Sequence, residues 1–214
     1  MSIFFPFLIL SSFSFLLSSY LKIRLIKSYL ISSFFIMFLF FYIGRIGFLT
    51  EANSLVRYLS VLIFVYLLFK KKINNDIVKE FVVISIIFCL IILYCNDLFF
   101  YKYDEFSEYG ITSSLIFSQD NLGINVKEFS KGSNSKINII SIYHYFFLKN
   151  STQIFNESYT YISHNFFSAL IILTIISYSN YNFYKKILLF IILYFLIYTL
   201  SPGFDRLYLD TIIG

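Results

Sequence analysis

The sequence predicts an all-α membrane protein with six to seven transmembrane helices and one large extracytoplasmic loop containing interfacial helices. Three observations predict it. Hydrophobic residues make up 58% of the 214-residue chain and mean hydropathy is +0.77, against roughly 45–50% apolar residues in a soluble domain. Charged residues are only 14% of the total and collect in the breaks between long apolar runs. Lysine and arginine concentrate in alternate breaks, the pattern that orients helices across a bilayer.

The first apolar run, Ile3 to Leu21, has neither a basic n-region before it nor a small-residue cleavage site after it, so it reads as a retained helix rather than a leader. Crossing a bilayer takes roughly 17–25 mostly apolar residues. Marked where charge disappears, the spans are 3–21, 28–43, 58–69, 81–95, 161–177 and 186–200. The third and fourth are short at their apolar limits and borrow flanking residues such as Tyr58 and Asn96. A further apolar run begins at Leu207 and ends with the chain at Gly214. Three parts follow: four helices in 1–95, a loop in 96–160, and two helices with the start of a seventh in 161–214.

Orientation comes from the short connections. Lys22, Arg24 and Lys27, then Lys70, Lys71, Lys72 and Lys79, then Lys185 and Lys186, lie in alternate breaks and mark the cytoplasmic side. The N-terminus and loop 96–160 therefore fall outside. The net charge of +5 reports this topology and the lipid bilayer as partner, and gives no sign of nucleic acid. Cys89 and Cys95 are six positions apart on one span, face different ways on a helix, and read as buried small hydrophobes. The triplets beginning at Asn150 and Asn156 fit the glycosylation pattern, which has meaning only in a eukaryotic source. No metal-ligand spacing, phosphate-cradling glycine loop or solenoid repeat is present.

The large polar feature is 96–160, with seven of the twelve acidic residues. Outside the stretch "EFSKGSNSK" it is rich in Phe, Tyr, Ile and Leu, too apolar to stay solvated. It is expected to form short helices on the membrane surface, one from "YDEFSEYGITSSLIF" and another from "INIISIYHYFFLK", packed side by side. Its first stretch, "FFYKYDEFSEYG" (99–110), sets Asp104, Glu105 and Glu108 among six aromatic rings. One reading is an aromatic belt with its charges in water. The other is a pair of carboxylates whose mutual repulsion and apolar setting raise the proton affinity of one, as general-base work requires.

"YDEFSEYGI" (103–111) resembles the DEFSHWG segment of bacterial multi-span glycosyltransferases of the GT-C type, in which acidic residues stand in an outward-facing loop. "YHYFFLKNSTQIFNESYTYISHNFF" (143–167) is similar to the stretch where those proteins dock a helix, place a Glu and begin the next span. "FDRLYLDTIIG" (204–214) is similar to a later loop. The order and spacing of the three agree. Differences are Glu108-Tyr109 in place of His-Trp, the absence of tryptophan, and "KGSNSKIN" where a Pro-Pro-Gly-type turn is expected. The resemblance covers about 80–214 and the front part of those longer proteins, so the chain reads as a fragment or as a reduced relative.

The resemblance implies transfer of a sugar from a polyprenyl-phosphate donor to an extracytoplasmic acceptor, with inversion, at a bacterial inner membrane. It makes Asp104 the base and Glu105 its orienting partner or a ligand for a divalent cation. The departing phosphate would meet Arg206 or Lys102, with Arg206 preferred for its bidentate guanidinium; an ordinary snorkelling arginine is the alternative for Arg206. His144, in an aromatic stretch of the loop, is the candidate for contact with the acceptor. For His144 and His164 alike the competing expectation is a ring satisfied by neighbouring backbone or interface water. Glu157 aligns with the family's Glu, but it also opens a helix, where a carboxylate favours the N-terminal dipole. Two other classes share this composition: a polysaccharide polymerase or flippase-like protein, and a non-enzymatic subunit of an organelle respiratory or ATP-synthase complex. The latter predicts mid-span carboxylates for proton transfer, and the mapped spans hold none.

Overall fold

The computed structural model describes residues 2–70, 75–99, 110–122 and 139–200, the side chains of 111, 183 and 195–200 excepted. Among these residues the chain is helical, with no strand. The helices are α1 (Phe4–Leu21), α2 (Leu25–Arg45), α3 (Leu49–Lys70), α4 (Asn75–Cys95), α5 (Gly110–Gln119), α6 (Ile139–Ser151), α7 (Glu157–Ser177) and α8 (Phe183–Leu200). Five of them, α1 to α4 and α7, are long and apolar enough to cross a membrane. α8 coincides with the expected run 186–200, and the run 207–214 lies outside the described residues.

Each boundary has a local cause. α1 ends where Lys22 takes a left-handed conformation (φ 54°) and Arg24 an extended one, the turn being closed by Ser18 Oγ donating to the Ile23 carbonyl at 2.8 Å. α2 stops before Gly47, whose φ of +91° an L side chain resists. α7 begins with Asn156, whose side chain accepts the Ser158 N–H at 2.9 Å, and Glu157 follows in the first turn. Asn182 caps α8 in the same way through Lys185 N–H at 3.0 Å.

α3 and α4 are longer than the apolar limits 58–69 and 81–95 suggest. α3 begins at Leu49 because Glu51 favours a helix N-terminus while Asn53 turns inward and is buried. α4 begins at Asn75, where Asp76 lies in the first turn and pairs with Lys79 at 3.6 Å. Charge-free windows thus delimit an apolar middle and miss the helix ends.

The helices alternate in direction. At one end Arg24 donates to the Ser177 carbonyl (2.9 Å), Glu80 accepts the Ile26 N–H (3.3 Å), and the Lys27 ammonium lies 3.5 Å from the centre of the Tyr178 ring. At the other end Ser158 donates to the carbonyls of Asn96 (2.7 Å) and Leu98 (2.9 Å). α1 packs along α2 and α3, and α7 against α2, α4, α6 and α8. Close approach of α1 and α2 is permitted by serines: Ser11 meets the Tyr29 hydroxyl at 2.6 Å and Ser14 donates to Ser32 at 3.2 Å.

α6 is enclosed by α1, α2, α3, α5 and α7. Eleven of its 13 residues are buried, so the helix expected on the membrane surface beside α5 does pack on α5 but is covered on its other faces as well. Its nearly all-round apolar sequence requires such cover. The aromatic centre joins four helices: Phe7 of α1 stacks on Phe88 of α4 at 4.5 Å, Phe88 meets Phe166 of α7 edge-on at 4.9 Å, and Tyr143 and Phe147 of α6 pack 5.0 Å apart beside them. Such pairs contribute roughly 0.5–1.5 kcal/mol each beyond area burial. α3 and α4 instead turn apolar faces outward, with Leu62, Phe69, Leu90 and Leu93 exposed. Cys95 is buried, but Cys89 is exposed on that outward face of α4, which corrects the expectation that both are buried.

Candidate functional site

α5 follows the acidic–aromatic stretch directly, α6 carries "YHYFFLKN" and α7 opens with "NESYTYISHNFF". These three helices meet one another. At their junction Ser113 Oγ of α5 and His144 Nδ1 of α6 are hydrogen-bonded at 2.9 Å, and the His144 and His164 rings, the second from α7, have centres 5.9 Å apart. All three side chains are buried. His144 Nε2 and His164 Nδ1 have no hydrogen-bond partner among the described residues. Burial, then the neighbouring His164, holds the His144 imidazole well below its ordinary titration range. In the tautomer that donates from Nδ1 to Ser113, Nε2 keeps a lone pair able to accept a hydroxyl proton.

The far end of α5 is fixed by Asp120, whose carboxylate accepts from the Tyr145 hydroxyl (2.8 Å) and from Lys149 Nζ (2.6 Å). Burial, and then the bond to Asp120, raises the Tyr145 phenol above its usual range. Next to these lies Arg57 of α3, half-buried two turns inside its helix. It donates Nε to Asn150 Oδ1 and Nη2 to the Lys149 carbonyl, both at 2.5 Å, while Asn150 donates to Asn53 Oδ1 and to the Phe146 carbonyl, both at 2.7 Å. Arg57 forms no ion pair among the described residues. Its charge is met by the carbonyl end of α6, where the helix dipole favours a cation.

Of the residues expected to act, His144 is the one inside the described part, buried and engaged by Ser113. Asp104, Glu105, Lys102 and Arg206 lie outside the described residues, as does Glu108. The competing expectation for His144, a satisfied ring, is met at Nδ1 by Ser113, while Nε2 has no hydrogen-bond partner among the described residues. Sequence reading missed Ser113, Asp120, Asn53 and Asn150 and put Arg57 outside a span; an arginine within an otherwise apolar helical stretch was the available signal. Among the described residues no group of three or more His, Cys, Asp or Glu gathers to hold a metal ion. No protein-family model, curated protein or solved structure matches the chain.

Proposed function

We propose that the chain is a membrane glycosyltransferase similar to the GT-C type, moving a sugar from a polyprenyl-phosphate donor to an acceptor on the extracytoplasmic face of a bacterial inner membrane. The observation that supports it is the meeting of α5, α6 and α7 at His144. Two of these helices carry segments on which the resemblance rests, and the third continues directly from the acidic–aromatic segment. The five long apolar helices and the lysine-rich turns support the membrane setting and the orientation.

In this reading Asp104 removes the proton of the acceptor hydroxyl as its oxygen attacks the anomeric carbon, and the carbon–oxygen bond to phosphate breaks with its electron pair leaving on the phosphate. Glu105 orients Asp104 or helps hold a divalent cation. Arg206, with Lys102, receives the charge on the departing phosphate, and His144 is the polar group of α6 assigned to the acceptor. The test is transfer of a labelled sugar from polyprenyl phosphate in membranes containing the protein. Asp104→Asn keeps shape and hydrogen bonding while removing the base, so transfer should fall by roughly 10²–10⁴-fold with abundance unchanged, and Glu108→Gln should cost far less. Near-normal transfer by the Asn variant would return the acidic stretch to the aromatic-belt reading.

A further inference from the structure

His144 and His164 are two buried imidazoles in contact at the junction of three helices, each with a ring nitrogen that bonds nothing among the described residues. We propose that this pair is an acid-sensitive latch: while both rings are neutral it holds α5 and α6 against α7, and when protons enter it the junction opens. The latch does not depend on sugar transfer.

Among the described residues no acidic group acts on the His144 ring. On α6 itself Lys149 and Tyr145 are taken up by Asp120 of α5, and the Tyr143 hydroxyl meets Ser33 of α2 at 3.3 Å. Arg57 of α3 is held by Asn150 and the Lys149 carbonyl, and Glu51 is exposed in the first turn of that helix. α1 has no charged residue, and its Tyr20 pairs with Tyr66. On α2, Arg45 lies over Phe41, Lys27 over Tyr178, and Tyr29 meets Ser11. On α7, Glu157 stands two turns before His164 in the first turn of the helix. Of the other helices packed on α7, α4 has Glu80 bound to Ile26 N–H and Asp76 with Lys79, while α8 has Lys185 and Lys186 at its first turns. Among the described residues the titratable group that acts on His144 electrostatically is therefore His164, and it opposes a second charge.

The sign follows from linkage. Closed, His144 titrates well below its ordinary range; opened to water it regains a pKa of about 6.5. The closed junction therefore binds fewer protons than the open one. Its stability is complete above neutrality and declines progressively as pH falls below about 6.5, so between pH 7.5 and 5.0 the open population rises by up to about thirty-fold from this ring alone.

Hydrogen exchange of the full chain in lipid nanodiscs, corrected for the intrinsic rate, tests this at pH 7.5 and 5.0. Residues 110–119 and 139–151 should exchange faster at pH 5.0, by more than about threefold and up to about thirty-fold, while 25–45 change by less than about threefold. In His144→Gln the acid response of the two segments should disappear, and in His164→Gln it should shrink. Unchanged exchange of the native chain at pH 5.0 overturns the latch without need of a variant, as does an acid response that persists in full in His144→Gln. If His144→Gln does not accumulate in the membrane, His164→Gln decides, an undiminished response refuting the pair.

Discussion

Replacing Asn150 with leucine, which keeps the branching at Cγ but carries no polar atom, should separate the end of α6 from α3. Three hydrogen bonds disappear: the one accepted from Arg57 at 2.5 Å and those donated to Asn53 and to the Phe146 carbonyl at 2.7 Å. The first is charge-assisted and contributes about 1.5–3 kcal/mol. The neutral pair contributes about 0.6 kcal/mol each, the average between helices in a membrane, where the unfolded chain also finds partners. The expected loss is thus about 3 kcal/mol, most of it from the guanidinium. Asn150→Asp separates the terms, because a carboxylate still accepts from Arg57 and supplies a counter-charge while giving up both neutral donations; it should cost about 1 kcal/mol. Reversible unfolding in mixed micelles, followed by far-UV circular dichroism, measures both. A leucine variant within about 0.5 kcal/mol of the native protein, or an aspartate variant no better than the leucine one, would refute the view that Asn150 matters as the acceptor of a half-buried charge.

Two further expectations concern packing and topology. A methyl group at Gly44 would lie 2.8 Å from Leu122 Cγ and Cδ1 and 3.0 Å from Leu49 Cδ1, so Gly44→Ala should lose about 1 kcal/mol net of its gain in helix propensity, and the loss should vanish in a Leu122→Ala background when both are measured by the same unfolding assay. Reporters fused at Ser133 and Asn75 should report the extracytoplasmic and cytoplasmic sides respectively; a cytoplasm-only reporter active at Ser133 would invert the topology.

Much of the helix layout was legible because charge and apolarity alternate along the chain. α1, α2, α7 and α8 fall within a few residues of the runs read from composition. The start of α3 was not legible, because Asn53 and Arg57 look like loop residues until their partner on α6 is known, and that partner is 97 and 93 positions away. The enclosure of α6 was hidden for another reason. An apolar segment must be covered, but its sequence does not say whether lipid or protein covers it. The same holds at the candidate site. His144 stood out as a rare ionisable residue in an aromatic stretch, whereas Ser113 and Asp120 are ordinary residues that acquire meaning only through what α6 brings to them.

The enclosure of α6 bears on the order in which the protein is made. Thirteen residues rise about 20 Å, well short of the roughly 30 Å hydrocarbon layer, so the insertion machinery has no reason to retain this segment as a span when it passes. Yet its side chains meet α1, α2 and α3, made earlier, and α7, made later. α6 can settle only after α7 exists to close over it. Until α7 is made the earlier helices stand around an unfilled centre, and a fault in α6 would leave that centre unfilled in the finished chain.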